Sequence, residues 1–523
     1  MSASKRIALA VAFSWLSRAV AILANLFLMP ILFRFMGKEE LGLWFLLGNS
    51  QAFLGLLGLG IAPTLMRHIA LAKGKSGADP EVELSQESKQ HIGDLVVTGR
   101  IILQWLAVIV FFIAWGSGYG LIGQLELKDV SGQTVFWAWT LMCAGYAVGV
   151  WVSYLNCWLA GIGYVGWDSL IGTVISLLTI LANIGTVLLG GGLLALATIS
   201  VGSSIAQRLA ILGFIRWRKP ELLAVQGRCN VQYAKAMIKP SLYSWLTSLG
   251  AFLILRTDSY FIALLKGAEN IPTYQAGYQL VSNLYQLAVA FGAASSVFIS
   301  QAWQAGNLNV VHQITLRNAR MGLSIMAAGV AFLLVAGKEL MNLWLGQDNF
   351  VGYQILLVFC IMLTLESQHV ILVNSSRATE DEKYAPLALT AGILNFIFTW
   401  VLIKPLGLLG VAIGTMLAQM LTNNWYAVYR PIVRLKLNFG VYLRQVLGLW
   451  GSVFVCCLGF SWLAKQGLML SGITSNGLIV VVTTAVCGVI FLYVLWRVIL
   501  EKYHRERIQA KIAGFMKLNS GRV

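Results

Sequence analysis

Apolar runs of roughly 20 residues recur along the chain from Ile7 almost to Leu500, with short polar or basic connections between them. A run of that length crosses a hydrocarbon core of about 30 Å as a helix. Spans are predicted near Ile7 to Phe35, Leu41 to Met66, Ile101 to Leu121, Val135 to Leu159, Ser169 to Leu189, Leu193 to Ile215 and Leu242 to Leu265. A second set falls near Thr273 to Ala302, Gly322 to Leu345, Ile355 to Val373, Ala385 to Ile403, Leu408 to Tyr429, Val446 to Leu463 and Gly477 to Ile499. No period-2 alternation shows, which sets a transmembrane barrel aside. Ile7 to Ala24 has the look of a signal peptide, but Arg18 interrupts its apolar stretch and no A-x-A-like site follows, so it reads as the first spanning helix.

Composition agrees with this pattern. The 523 residues are 58% hydrophobic and 11% charged, with a mean hydropathy of +0.75, too apolar for one soluble core. Of the 38 Lys and Arg residues, 28 lie on one side of the predicted spans, 7 on the other and three, Arg18, Arg208 and Arg256, within them. The positive-inside rule then puts both termini in the cytoplasm. The net charge of +17 is mostly this inside excess facing anionic lipid, so nucleic acid is not expected as a partner. The tail from Glu501 to Val523 mixes Ile508, Ile512 and Phe515 with Arg505, Arg507 and Lys511, as an amphipathic surface helix or a solvated basic end would. Six of the seven cysteines lie in or beside predicted spans and none forms C-x-x-C, so they read as packing residues, with no metal site.

The first six predicted helices rhyme with the next six. Gly37 in FMGKEELGLWFLLGNSQAFLGLLGLG falls on Gly267 in LKGAENIPTYQAGYQLVSNLYQLAVAFG at an offset of 230, and Asn183 falls on Asn395 at an offset of 212. An even number of helices per repeat makes the halves parallel repeats about an axis along the membrane normal, with a cavity between them that rocking exposes to alternate sides. The expected organisation is a six-helix lobe over 1–217, a basic linker over 218–240, a second six-helix lobe over 241–430, two additional helices over 431–500 and a cytoplasmic tail over 501–523. The fold class is thus an all-α polytopic membrane protein of about fourteen helices. Outer connections are short, which disfavours a membrane glycosyltransferase or polymerase. No G-x-x-x-x-G-K-[ST] loop occurs, so transport energy would come from a partner, an ion gradient or downhill flow.

Three segments carry a resemblance: LMPILFRFMGKEELGLWFLLGNSQAFLGLLGLGIAPTLMRHIA, LRTDSYFIALLKGAENIPTYQAGYQLV and LGLLGVAIGTMLAQ. In this order, at these helices, they resemble the polysaccharide-transporter branch of the multidrug/oligosaccharidyl-lipid/polysaccharide exporter superfamily, the Wzx-type flippases. The resemblance implies a V-shaped, two-lobed fold in a bacterial inner membrane and flipping of an undecaprenyl-pyrophosphate-linked oligosaccharide, as in O-antigen and lipopolysaccharide assembly. Membrane lipid and the polysaccharide polymerase or export machinery are the further partners it implies. It leaves open a cation-coupled multidrug exporter and a lipid II-type flippase.

Candidate site residues follow from the cost of charge in a membrane. A mid-helix Arg costs about 2.5 to 3.5 kcal/mol on the insertion scale, so it should face protein or water. Arg18 lies 11 residues into its span, ~16 Å deep at 1.5 Å per residue. Arg256 is about as deep in the seventh helix, and either meets substrate or pairs with Asp258. A guanidinium suits pyrophosphate through its fixed charge and fork of donors, and the lipid II flippases resembled here point to basic residues on these same two helices as cavity liners. Arg208, the third candidate for substrate binding, is nearer the cytoplasmic end and within reach of snorkelling. Glu366 and His369, three apart on one face of the tenth helix, and Asp258 are candidates for a coupling proton or sodium ion; a polar contact between helices is the alternative for the pair. No other cofactor is expected. Pro30 and Pro63 are candidate hinges in the first two helices. Tyr274, Tyr278 and Tyr285 could present an aromatic face to a sugar, although core packing accounts for the same stripe.

Overall fold

The computed structural model describes residues 26–74, 85–218, 220, 227–379, 381 and 383–499, and among them the chain is helical with no strand. The described helices run α1 Leu26–Phe35, α2 Lys38–Leu57, α3 Ile61–Gly74, α4 Gln86–Ile122, α5 Gly132–Trp151, α6 Tyr154–Gly161, α7 Val165–Leu188, α8 Leu193–Arg218, α9 Val231–Leu255 and α10 Asp258–Lys266. They continue with α11 Ile271–Gln304, α12 Leu308–Leu345, α13 Tyr353–Arg377, α14 Ala385–Leu406, α15 Leu408–Gln419, α16 Trp425–Arg434, α17 Phe439–Tyr442, α18 Gly448–Leu470 and α19 Asn476–Val494. Polar residues that precede the apolar runs start several of them. Ser85 accepts from the Ser88 amide, Ser131 from Thr134, Asn230 from Gln232 and Asn307 from Val310, each satisfying one of the open donors of a first turn.

Among the described residues ten helices are long and apolar enough to cross a membrane, or eleven if the bent pair α2 and α3 is one span. Most of the first predicted span lies outside the described residues. Ile271–Gln304 and the run from Leu408 to Arg434 are helical where the sequence predicts spans, but they are not among the ten. The run from Leu408 changes to a π turn over Met420–Asn424 before α16.

The bend of 53° between α2 and α3 is made by Leu59 and Gly60, whose φ values of 51° and 64° are left-handed. Pro63 comes after this break, in the first turn of α3, where its missing N–H leaves no helical bond unmade. Pro30 lies within α1.

Two compact units divide the chain: Met1–Pro272 with Ala388–Gly407, and Thr273–Leu387 with Leu408–Val523. In the first, Leu28, Leu32, Leu41, Val187 and Leu196 form a buried cluster of α1, α2, α7 and α8. The side of α9 meets α2, α3 and α4. In turn α14 presses on α9, where a Cβ on Gly250 would lie 2.8 Å from the Ala388 carbonyl carbon and where Asn395 donates to the Leu253 carbonyl at 2.8 Å. These contacts put α9, α10 and α14 with the helices of the first half, so the units part the chain at other points than the 218–240 linker of the repeat.

In the second unit, Ile299, Val311, Leu372, Leu435 and Tyr442 build one core. The last two long helices, α18 and α19, pack on α12 through Val453, Cys457 and Cys487 against Ala327, Ala328 and Ala331. Small residues on α12 permit that close approach, the usual means of holding helices together where lipid offers no hydrophobic gain. The tyrosine stripe packs in the same way: Tyr274 is buried, and Tyr274 and Tyr278 both meet the Phe359 ring edge-on at 5.1 and 5.6 Å.

Candidate functional site

The first unit contains a cavity of about 410 Å³ lined by α2, α3, α4, α5, α8 and α9. Its walls are cleared by glycine. A Cβ on Gly55 or Gly58 would come within 3.6 or 3.9 Å of the Tyr146 hydroxyl, and one on Gly149 within 3.8 Å of Arg208 Nη2, so side chains there would take up the space these two polar groups face. Ser153, Ser204, Trp245 and Ser248 add further polar lining.

Arg208, on α8, reaches into this cavity. Its Nη1 donates to Asn156 Oδ1, and the Asn156 amide donates in turn to Asp168 Oδ1 at 2.8 Å. The charge of Asp168 is thus brought to the guanidinium through an amide relay. Arg208 Nε is buried and has no hydrogen-bond partner in the structure. A guanidinium with five donors, partly engaged and beside an open cavity, is suited to a planar or tetrahedral oxyanion.

Arg256 closes α9 as its C-terminal cap and is exposed. It donates Nη1 to Asn49 Oδ1 at 2.9 Å, and Asn49 Nδ2 donates to Ser259 Oγ at 2.8 Å. Asp258 stands in the first turn of α10, where the helix dipole favours a carboxylate. Arg18, the first-helix candidate, lies outside the described residues.

In the second unit Glu366 is within electrostatic reach of His369, one turn along α13, and of Tyr285 on α11. His369 Nδ1 is buried without a hydrogen-bond partner. Both residues lie within α13.

Two acids that sequence reasoning passed over organise one end of the first unit. Glu39 accepts the backbone amides of Lys128, Asp129 and Val130 at 2.8, 2.5 and 3.0 Å, and Glu40 accepts that of Leu193 at 2.7 Å. Lys128 Nζ lies 2.5 Å from Glu269 Oε1. Burial is the largest single influence and works against the Glu269 charge, yet the hydrogen bond from Lys128, a backbone hydrogen bond and the Lys128 charge together outweigh it and hold the carboxyl below the usual range. The signal in the sequence is the pair of acids at the start of α2, in FMGKEELG.

Comparison with known proteins places this architecture. The chain is 23% identical over 247 residues to a protein of Haloferax volcanii described as "Probable low-salt glycan biosynthesis flippase Agl15"; the match covers 46% of this chain and about half, 51%, of that relative. The fold is similar to that of the lipid II flippase MurJ in an inward closed conformation, with a TM-score of 0.66 at 14% identity over 93% of this chain and 100% of that one. It is also similar to an inward-facing multidrug resistance MATE family transporter of the MOP superfamily, with a TM-score of 0.65 at 16% identity over 79% and 95% of the two chains. At these identities the two structures speak to fold alone. The sequence pattern described as polysaccharide biosynthesis protein matches residues 10–303. With more than half of its residues inside that match, the chain belongs to the polysaccharide biosynthesis protein family.

Proposed function

We propose that this protein is a transporter, not an enzyme, and that it flips a polyprenyl-pyrophosphate-linked oligosaccharide across a bacterial inner membrane by alternating access. Family membership supports the glycan side of this reading, and the flippase and transporter relatives support the transport side. The observation that carries it is Arg208: a partly engaged guanidinium, kept within a span beside a glycine-cleared cavity of mixed polar and apolar lining, is retained at a cost that an anionic cargo offsets. In this reading Arg18 and Arg256 add positive charge along the path. The chain has both termini in the cytoplasm and works with the polymerase or export machinery that takes up its cargo.

Leaflet-specific accessibility of a lipid-linked glycan in proteoliposomes tests the proposal. Arg208→Ala is expected to lower flipping by roughly ten- to a hundredfold, the equivalent of the ~1.5–3 kcal/mol of a hydrogen bond to a charged group. Arg208→Lys keeps the charge without the fork and should recover flipping in part. Normal flipping in the alanine variant, with Arg18→Ala and Arg256→Ala equally silent, would overturn the reading.

A cation-coupled multidrug exporter is the second reading, favoured by the MATE-like fold and the Glu366/His369 pair. It requires a lipophilic cation to be carried, and Glu366→Gln to remove the dependence on a proton or sodium gradient.

A further inference from the structure

Next to the glycine-cleared cavity, the first unit holds a second one of about 390 Å³ with walls of a different character. Leu46, Leu121, Trp139, Phe252 and Phe261 are among its apolar lining residues. Two of its few polar groups are already occupied: the Tyr260 hydroxyl donates to Ser50 Oγ at 2.7 Å, and Thr257 Oγ1 donates to the Leu253 carbonyl at 2.8 Å.

The two cavities follow one another along the same helices. On α2, residues from Leu43 to Phe53 line the apolar cavity and Gly55 and Leu56 the Arg208 cavity; on α9, Phe252 and Leu253 line the apolar cavity and Trp245 and Ser248 the Arg208 cavity. Phe53 and Phe252 stand at the change-over, ring centroids 5.9 Å apart. Arg256, one turn beyond Phe252, donates to Asn49, the neighbour of Ser50 in the wall. Phe396 and Trp400 of α14 also line the apolar cavity and are themselves 49% and 46% exposed, which gives the cavity a lateral wall facing out of the unit.

We propose that the apolar cavity holds a stretch of the polyprenyl chain of the lipid carrier while the pyrophosphate engages the Arg208 cavity, a site that rests on the flippase reading above. The adjacency is the reason: only a molecule with an anionic head joined to a hydrocarbon chain fills both spaces at once. The volume is about thirteen times the ~30 Å³ of a water in the liquid, room for a chain segment of roughly a dozen carbons. In a bilayer, burial as such favours no chain over another, because lipid tails are equally apolar. Selection therefore comes from shape, with aromatic rings set against a methyl-branched, unsaturated chain, and from the head held next door. The half-exposed α14 wall is the side through which a chain enters from the bilayer.

The test uses the full chain in lipid nanodiscs with a polyprenyl pyrophosphate that carries a diazirine in its chain. Adducts are expected on Leu43–Phe53 and on Asp258–Lys266. They should fall about tenfold in Ser117→Trp, a substitution that fills the cavity from α4, and likewise in Leu264→Phe, each used only if it elutes as the wild type does. Binding of a water-soluble glycosyl pyrophosphate without the chain should be unchanged in both. Adducts elsewhere that ignore both substitutions would overturn the chain site, and so would displacement by phosphatidylglycerol as readily as by unlabelled polyprenyl pyrophosphate. If the soluble head does not bind the wild type while the chain still labels the cavity, the flippase reading fails and the apolar site stands.

Discussion

Arg208 in the first unit and Lys465 in the second face the same problem, a cation on a membrane-spanning helix, and they solve it differently. Lys465 of α18 lies 2.7 Å from Glu339 Oε1 of α12 and also donates to the Val335 carbonyl at 2.7 Å, with both side chains largely buried. Its charge is neutralised on the spot, as structure requires. Arg208 reaches its acid only through Asn156, keeps a buried Nε without a partner and looks onto a cavity it shares with Tyr146 and three serines. The lesson is that an intramembrane charge by itself says little. A charge left partly unanswered beside a cavity points to a ligand.

Removing each partner in turn should pull the two regions apart. The largest effect is expected for Lys465→Ala, which leaves the Glu339 carboxylate buried and uncompensated, at a cost of about 3–5 kcal/mol. Thermal unfolding in detergent should show it, whereas the double change Lys465→Met with Glu339→Leu should come back close to wild type. Asn156→Leu breaks the relay between Asp168 and Arg208. It should cost transport about tenfold or more while lowering stability less than Lys465→Ala does, by the ~1–3 kcal/mol of stranded buried polar groups. Comparable losses of stability in the two variants would remove the distinction between the regions.

A smaller effect is expected at Glu366. Glu366→Gln should leave expression and folding unchanged and flatten the response of transport to an imposed pH or sodium gradient. An unaltered response would make the Glu366/His369 pair a packing contact.

The smallest concerns the loop after α13. The hydrogen bonds of Arg430 to Asp381, at 2.8 and 2.9 Å, hold that carboxyl below its ordinary value of 3.8. A depressed carboxyl contributes stability that is full above its unfolded value and is lost as pH falls through the folded one. The protection of the Ser376 and Thr379 amides against exchange, relative to their intrinsic rates at each pH, should therefore be steady at neutral pH and fall only below about pH 4, since both residues bond to this cluster. Asp381→Asn should remove that acid step.

Hydropathy located the helices, but α4 and α12 begin at Gln86 and Leu308, well before the predicted starts at Ile101 and Gly322. The polar first turns of both helices lie outside the apolar run that hydropathy detects. Pro63 was the visible breaker in the second span, yet the bend belongs to Leu59 and Gly60, because a left-handed backbone leaves a weaker mark in sequence than a proline. The role of Arg208 could not be read, since its partner Asn156 is 52 residues away and no helical spacing joins them. The same holds for Glu39, whose three amide donors lie some 90 residues along the chain. Glu366 and His369 were legible because both are on one helix, one turn apart.

The proposed function requires an anion site built on Arg208 in the first unit. Equilibrium binding of polyprenyl pyrophosphate to the purified full-length protein, titrated with salt and in competition with a lipophilic cation, measures that site. Binding is expected to be tight at low salt and to weaken as salt rises, without displacement by the cation, and Arg208→Ala is expected to lose both affinity and salt dependence. Binding that Arg208→Ala leaves intact, or that the cation displaces better than free pyrophosphate does, would contradict the anion site and give the lead to the multidrug reading.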